Sequence, residues 1–161
     1  MAVKDILLLG DPILYEKSLP VADKAEVEKL TPHINLMFAT VLDFRKKYGV
    51  GRAIAAPQIG LLKRIICVNI KKPVAMINPE LQNLSNETIE LWDDCMSFPN
   101  LLVKVKRHKK LTLPFFDLNW EKQIWHLEDD MSELIQHEYD HLDGILATQR
   151  AIDNQSFRWK I

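Results

Sequence analysis

The chain has 161 residues, of which 47% are apolar and 27% are charged, the composition of an ordinary folded domain. Its 21 basic and 22 acidic residues leave a formal charge of −1, which argues against direct nucleic-acid reading and membrane-surface binding because proteins with those functions carry a basic excess. No apolar run approaches the about 18 residues of a membrane span, and we expect no export signal at the start of the chain.

The first strongly periodic segment covers residues 31–48, where apolar residues recur at helical spacing. Thr31 is placed to cap the start of this segment, Pro32 suits its first turn, and Gly49 suits a left-handed exit. We therefore expect a helix near the N-terminus that presents one apolar face.

Five short runs of apolar and β-branched residues follow, and each is typical of a strand. They cover residues 65–70, 74–77, 101–106, 111–116 and 123–127. In the third run valines alternate with lysines, which predicts one buried and one exposed face. Because no helix separates these closely spaced runs, we expect them to pair antiparallel.

A second helix is predicted at residues 131–143. Asp130 and Glu133 have the spacing of a capping box, and Gly144 is placed to end the helix. The predicted fold class is α+β, with antiparallel β-sheets packed around this C-terminal-region helix and a second helix near the N-terminus. No repeat or linker divides the chain, so we expect one domain over residues 1–161. Its two cysteines cannot form a disulfide framework, and the expected absence of an export signal suggests a reducing compartment.

The second helix carries the strongest chemical signal, the H-E-x-x-H pattern formed by His137, Glu138 and His141. Residues four apart lie one above the other on a helix, so two imidazoles can bind one ion while Glu138 reaches a bound water. The alternative is a pair of histidines hydrogen-bonded in the core. The four-residue spacing of the histidines, and their position on the apolar side of the helix, favour a metal site over this alternative.

A third ligand must come from upstream. No Glu follows Glu138, and Ala147 occupies the position at which metzincins have their third histidine. The candidates are a carboxylate or one of the following residues: Cys95, His33, His108 and His126. A thiolate suits a borderline-soft ion, which favours Cys95, whereas burial in the core is the alternative and is the interpretation we give to Cys67.

A third segment, residues 49–60, combines small residues with one amide side chain. Small residues allow a substrate or another backbone to approach closely. Gln58 could polarise a carbonyl without competing for the metal, since its amide carries two N–H donors and no charge. The alternative is a tight turn that leaves a glutamine on the surface.

In this order the three segments resemble the peptide deformylase family, and the resemblance covers nearly the whole chain. The family's H-E-x-D-H motif is intact. Its G-x-G-x-A-A-x-Q motif is kept at four positions and has Ala53 where the second glycine is usual. Its E-G-C-x-S motif is kept at Cys95 and Ser97, with Asp93 and Asp94 in place of Glu and Gly.

The resemblance implies a catalytic site. In that site Cys95, His137 and His141 bind one divalent ion per chain, commonly Fe²⁺, with Zn²⁺, Ni²⁺ or Co²⁺ as substitutes. Glu138 is the general base and acid. The remaining implied roles are an oxyanion site formed by Gln58 and the backbone N–H of Met96, and substrate-binding positions at Gly51 and Ala53.

The resemblance also implies a function: metal-dependent hydrolysis that removes the formyl group from formylmethionine at the start of nascent proteins and releases formate. The partners are then N-formylmethionyl peptides, with proximity to the ribosome, in a bacterial cytoplasm or an organelle. Two alternatives stay open. One is a related metal-dependent amidase that acts on another N-acyl peptide, and the other is a catalytically weak, deformylase-like binding module.

Three departures from the family motifs carry expectations of their own. Ala53 adds a methyl group near the substrate path and costs strain if that position has a positive φ. Asp94 adds a charge beside Cys95, and Asp93 is one methylene shorter than Glu and reaches its partner less well. We expect the changes at Ala53 and Asp94 to restrict the accepted formyl peptides rather than abolish catalysis.

Overall fold

A computed structural model describes residues 5–160. Two α-helices are present, α1 (Lys24–Tyr48) and α2 (Asp129–Leu142), together with short 3-10 helices at Pro12–Tyr15, Ala56–Ile59 and Ala147–Arg150. The strands are β1 (Ala53–Ala55), β2 (Ile65–Asn69), β3 (Pro73–Ile77), β4 (Thr88–Asp93), β5 (Leu101–His108), β6 (Lys110–Phe116), β7 (Lys122–Glu128) and β8 (Phe157–Trp159). This is the α+β order that the sequence predicts. None of the described helices has the length and apolar character needed to cross a membrane.

The strands form two sheets. One contains five strands in the order β1-β2-β3-β6-β7, and the other contains three in the order β4-β5-β8. Neighbouring strands in both sheets run antiparallel, which confirms the pairing expected from their close spacing. The five predicted runs correspond to β2, β3, β5, β6 and β7, with ends that differ by at most two residues.

The two helices pack on opposite faces of the five-stranded sheet. Alternate residues of a strand point to opposite faces, and β2 shows this clearly. Its Ile65 and Cys67 belong to a core shared with α1, whereas Ile66 and Val68 belong to a core shared with α2. The sheet therefore fixes α2 on the face opposite α1, and Cys67 is a buried core residue as expected.

The first helix begins earlier than predicted. It starts at Lys24, with the Asp23 side chain accepting a hydrogen bond from the Glu26 amide at 2.9 Å. Thr31 does not cap the helix, because its hydroxyl donates to the Val27 carbonyl within the helix. Pro32 lies in the interior, where it removes one backbone hydrogen bond. Burial of Val27 against the core keeps the extra turns helical despite that loss.

The start of α2 also differs from the prediction. The helix begins at Asp129, and its N-terminal flank Glu128 makes no capping hydrogen bond through its side chain. Glu133 forms an ion pair with Arg52 instead of closing a capping box. Residues on both sides of α2 are buried, including Ile135 and Asp140, because the helix lies between the sheets rather than on the surface.

Three strands were missed from the sequence, and each lacks a strong local signal. β1 has only three residues, and β8 is exposed along its whole length. β4 carries polar residues that hide its alternation, yet it pairs with β5 from Thr88 to Asp93. Cys95 therefore lies in the loop that connects β4 to β5.

Candidate metal centre

The structure brings together the three side chains that the sequence singled out. The possible ligand atoms of Cys95, His137 and His141 all lie within 4.8 Å of one another, and all three residues are buried. Cys95 Sγ lies 3.4 Å from His141 Nε2. The loop after β4 positions the cysteine, and α2 presents the two histidines one turn apart.

The other candidate ligands lie elsewhere. His108 Nδ1 contacts the Ser85 carbonyl oxygen at 2.7 Å, and the exposed His126 contacts the Thr112 hydroxyl at 3.3 Å. His33 is exposed on α1. Among the described residues, Cys95 is therefore the upstream candidate that joins the histidine pair.

Asp93 orients one of the histidines. Its Oδ2 accepts a hydrogen bond from His137 Nδ1 at 2.7 Å and another from Arg107 Nη2 at 3.2 Å. The expectation that Asp93 reaches its partner less well than Glu is wrong. Asp93 is the last residue of β4, and from there its carboxylate contacts the imidazole directly. Burial alone would raise the pKa of Asp93, but His137 and Arg107 outweigh burial and lower it. The ionised carboxylate holds the proton on Nδ1 and leaves Nε2 for an ion.

Arg107 is a buried residue that the sequence interpretation missed. It is 4% exposed, and its Nη1 donates to Asp140 Oδ2 at 2.7 Å while Nη2 reaches Asp93. The guanidinium thus connects β4 and β5 to α2 behind the histidines. The sequence did contain a signal for this residue. Arg107 lies on the same inward side of β5 as Val103 and Val105, and a charge at a buried position requires partners.

Glu138 has the surroundings of a proton acceptor. It is 4% exposed, and its Oε2 has no hydrogen-bond partner among the described residues. Burial raises the pKa of Glu138 to about 7. Burial also lowers the pKa of His141 well below its usual value, which keeps that imidazole neutral and able to bind an ion.

Gln58 is buried rather than exposed, which overturns the alternative of a surface turn. Its Oε1 accepts a hydrogen bond from the Ala55 amide at 3.0 Å, so its Nε2 is turned toward the metal group. That nitrogen donates to Ser97 Oγ at 3.1 Å and lies 3.7 Å from Cys95 Sγ. The amide donor therefore stands beside the thiol.

A cavity of about 410 Å³ opens onto the metal group. Six of the predicted site residues line it: Gly51, Ala53, Cys95, Met96, His137 and Glu138. The other two, Gln58 and His141, are buried behind that wall. The cavity gives a substrate access to the thiol, to one imidazole and to the glutamate.

The donor set fits a divalent ion. One thiolate and two imidazole nitrogens suit Zn²⁺ and other borderline first-row ions, and three protein ligands leave a coordination position for water or substrate. The unpartnered Oε2 of Glu138 is a second feature that fits, because a buried carboxylate oxygen needs a donor and a bound water supplies one.

Comparisons with known proteins agree with this geometry. The sequence model of the polypeptide deformylase family matches residues 3–157. The peptide deformylase of Desulforudis audaxviator is 37% identical over 153 residues, which cover 94% of this chain and 95% of that protein. The chain belongs to the peptide deformylase family.

Solved structures of deformylases have the same fold. The enzyme from Thermotoga maritima superposes with a TM-score of 0.86 at 30% identity, covering 95% of this chain and all of that one. A class I type b deformylase from Acinetobacter baumannii gives 0.82 at 29% identity, covering 93% of this chain. The chain is an enzyme of the deformylase type, which favours deformylation over another amidase activity or a binding module. Family and geometry together indicate a single metal ion.

The structure shows the surroundings of Ala53 and Asp94, two departures from the deformylase motifs. Ala53 is an extended residue of β1 that pairs with Val68, so the strain expected for a positive φ is absent. Gly51 does need to be glycine, since its φ is +136° and a Cβ there would lie 3.2 Å from Phe44 Cδ1. Asp94 is partly exposed at the cavity rim, with its carboxylate 3.5 Å from Lys160 Nζ.

Proposed function

We propose that this chain hydrolyses the N-formyl group of formylmethionyl peptides and releases formate, using one divalent ion bound by Cys95, His137 and His141. The observation that carries the proposal is the meeting of these three ligand atoms within 4.8 Å, beside the unpartnered carboxylate of Glu138, in an open cavity. Fe²⁺ is the proposed native ion, with Zn²⁺, Ni²⁺ or Co²⁺ as substitutes.

The proposed proton transfers belong to Glu138. Cys95, His137 and His141 would hold a divalent ion, and a metal bound there would supply a water of lowered pKa, toward about 7, and a Lewis acid for the formyl carbonyl. Glu138 accepts a proton from the attacking water and later delivers it to the leaving amine. A carboxyl group whose pKa burial has raised to about 7 is suited to both steps near neutral pH.

Gln58 and Met96 are the proposed stabilisers of negative charge on the formyl oxygen. The Ala55 amide holds the carboxamide of Gln58 so that Nε2 faces the metal group, and Met96 follows the ligand Cys95 on the cavity wall. In other hydrolases one such donor contributes about 3–4 kcal/mol to transition-state stabilisation. Gly51 and Ala53 are proposed to lie along the substrate backbone.

The proposed substrates place the enzyme close to protein synthesis. Formylmethionine occurs at the start of nascent chains, so we expect the protein to work in the cytoplasm near the ribosome, without reading nucleic acid directly. Its formal charge of −1 offers no general attraction to RNA. Co-sedimentation with translating ribosomes at physiological salt tests the association, and formylmethionyl nascent chains should be required for it.

One assay tests the function directly. Protein purified without oxygen and loaded with Fe²⁺ should release formate from formyl-Met-Ala-Ser, and acetyl-Met-Ala-Ser should stay intact. Zn²⁺-, Ni²⁺- and Co²⁺-loaded samples compare the metals. Absence of formate release from samples that contain one metal ion per chain would contradict the proposal, and hydrolysis of the acetyl peptide would favour a broader amidase.

A further inference from the structure

A second cavity lies at the C-terminal end of α2. Its volume is about 740 Å³, and no described residue lines both this cavity and the one beside the metal group. Its walls come from the segment before α1, from the residues that flank β2 and β3, from the end of β6 and from α2. The proposed hydrolysis uses none of these walls, so we asked what ligand the second cavity would take.

Arg64 is the most enclosed charged group of the second cavity, with a side chain that is 12% exposed. Its Nη1 donates to the Leu142 carbonyl oxygen at 3.0 Å and to Asp143 Oδ1 at 2.9 Å, which fixes the end of α2. Nε and Nη2 have no acceptor among the described residues. These two nitrogens carry parallel N–H groups, the arrangement that binds both oxygens of a carboxylate.

The guanidinium of Arg64 is held in place before any ligand binds. Besides its bonds at the end of α2, its Cζ lies 5.2 Å from the centroid of the Tyr139 ring, a cation–π contact. A group that is already ordered loses little conformational entropy when it binds a partner. The free edge of Arg64 is therefore preorganised for an anion.

Two further donors line the second cavity. Ser18 is 2% exposed, and its hydroxyl has no hydrogen-bond partner within the described chain. A buried hydroxyl without a partner is uncommon in folded proteins, and an acceptor on a ligand would satisfy it. Lys17 is exposed, and its ammonium forms no ion pair with a described residue.

The charges around the second cavity favour an anion with a single charge. Its acidic groups already have donors, since Asp143 accepts from Arg64 and Glu80 accepts from Gln82 Nε2 at 3.1 Å. The groups left for a ligand are therefore donors. A dianion such as phosphate would nevertheless lie near both carboxylates, and this repulsion is unfavourable. A carboxylate carries one charge and matches the two N–H groups of Arg64.

The other walls of the second cavity favour an apolar body on the ligand. Leu19, Pro20, Pro79 and Phe116 line it, and Leu19 is 64% exposed. Trp120 stacks on Phe116 with ring centroids 4.5 Å apart, which supports that wall from its other side. Covering such apolar surface contributes to affinity, and the volume is within the range of small-molecule sites.

We propose that the second cavity binds a small monocarboxylate with an apolar body, either a free carboxylic acid or the carboxyl terminus of a short peptide. Nε and Nη2 of Arg64 donate to the two carboxylate oxygens, and Lys17 and the Ser18 hydroxyl supply further donors. The apolar body lies against Pro79 and Phe116. This site is independent of the proposed hydrolysis.

NMR titration of ¹⁵N-labelled, Zn²⁺-loaded protein tests the site. The free acid is represented by 3-phenylpropionate and the peptide terminus by acetyl-phenylalanine, and each is compared with its uncharged amide. We expect a Kd at least about tenfold lower for each acid than for its amide, and weaker binding of inorganic phosphate than of either acid. The ratio between the two acids shows which source of the carboxylate is preferred.

The same titration locates the bound acid, because a carboxylate could also bind at the metal group. Backbone amide signals of Ser18, Arg64 and Phe116 should shift, whereas those of Gly51 and Ala53, which line the cavity beside the metal group, should stay in place. Shifts confined to Gly51 and Ala53 would overturn the proposal.

Two arginine variants form a matched pair. Arg64→Lys keeps the positive charge but removes the paired N–H groups, so it should raise the Kd of both acids about tenfold. Arg52→Lys is the control, because Arg52 pairs with Glu133 in the cavity beside the metal group and should not affect the Kd. Weaker binding in Arg52→Lys together with unchanged binding in Arg64→Lys would refute the site.

Lys17→Ala keeps the test decisive if Arg64→Lys does not fold. Lys17 is exposed, so its replacement should leave the fold intact, raise the Kd of both acids about threefold and leave the Kd of both amides unchanged. Equal Kd values for acids and amides in the wild-type protein, or acid binding that Lys17→Ala does not change, would contradict the proposal.

Discussion

At the scale of single residues, the metal group joins one thiol, two imidazoles and a carboxylate that differ in their surroundings. His137 has the buried partner Asp93, whereas His141 Nδ1 and Glu138 Oε2 lack partners among the described residues. Asp93 holds the imidazole of His137 in a defined orientation, whereas the unpartnered Oε2 of Glu138 is available to accept a proton. These differences set what each substitution should do.

Replacing Cys95 by alanine should remove most of the metal. Two imidazoles remain, and a tetrahedral site without its thiolate binds a borderline ion far more weakly. Elemental analysis of purified protein should find well under half an ion per chain. Cys67→Ala is the matched control, because Cys67 lies in the core shared with α1 and should keep full metal content. Full occupancy in Cys95→Ala would place the third ligand elsewhere.

Glu138→Gln should keep metal and fold but lose most activity. The amide preserves shape while removing the proton acceptor, and a general base contributes about 10²–10⁴-fold to the rate. The measurement is kcat for formate release at equal metal content, with the exposed Glu121→Gln as a control that should stay close to wild type. A loss smaller than about tenfold is incompatible with the proposed role.

The double change Ala53→Gly, Asp94→Gly should raise kcat/KM for formyl-Met peptides. Both residues line the cavity, so the change removes a methyl group and a charge from the substrate path. Small changes in a pocket alter transition-state binding by about 1–3 kcal/mol, which corresponds to one or two orders of magnitude. Ala55→Gly removes a methyl group from the same strand outside the cavity and should not change peptide preference. Equal kcat/KM in wild type and double variant would show that the two positions are neutral.

At the scale of secondary-structure elements, α1 is stabilised at its start by side chains outside the predicted segment. Asp23→Ala removes the hydrogen bond to the Glu26 amide and should lower the free energy of unfolding by about 1 kcal/mol. Urea unfolding followed by circular dichroism measures this change. Thr31→Ala serves as the comparison, since the structure places Thr31 inside the helix and gives it no capping role. A larger loss in Thr31→Ala than in Asp23→Ala would restore the helix start predicted from sequence.

The elements were predicted unevenly, and the reason is physical. Apolar periodicity marks α2 and the strands β2, β3, β5, β6 and β7 because each buries one or two continuous faces. The first two turns of α1 precede Pro32, a residue that locally signals a helix start, and Val27 overrides it through burial in the core. β8 is exposed and pairs only with β5, so its structure depends on a partner more than 50 residues away.

At the scale of the whole molecule, the metal site ties the two sheets together through α2. Cys95 follows β4 of the three-stranded sheet, while α2 packs on the five-stranded sheet, so a bound ion crosslinks both parts. An ion present at a thousandfold excess over its dissociation constant stabilises the folded state by about 4 kcal/mol. Removal of the metal with a chelator should therefore lower the Tm by about 10 °C.

Calorimetry with and without chelator measures that shift, and readdition of the ion should restore the original Tm. Cys95→Ala should have a low Tm that the chelator does not change. An equal chelator effect in wild type and Cys95→Ala would show that the stabilising ion binds at another site.

What the sequence alone determined is the chemistry that depends on local spacing. Residues four apart on a helix share one face whatever surrounds them, so His137 and His141 could be paired before the fold was known. The motifs around Cys95 and Gln58 led to the family by resemblance, and the close spacing of the apolar runs, with no helix between them, predicted antiparallel sheets in an α+β fold. Each of these inferences uses residues close together in the chain.

Only the tertiary structure decided which distant groups meet. Arg107 reaches Asp93 and Asp140 across 14 and 33 residues, and Arg52 reaches Glu133 across 81. No local pattern specifies such pairs, because they form when packing removes water from both charges and leaves each as the other's partner. The residues that orient the metal ligands became visible for that reason only in the folded chain.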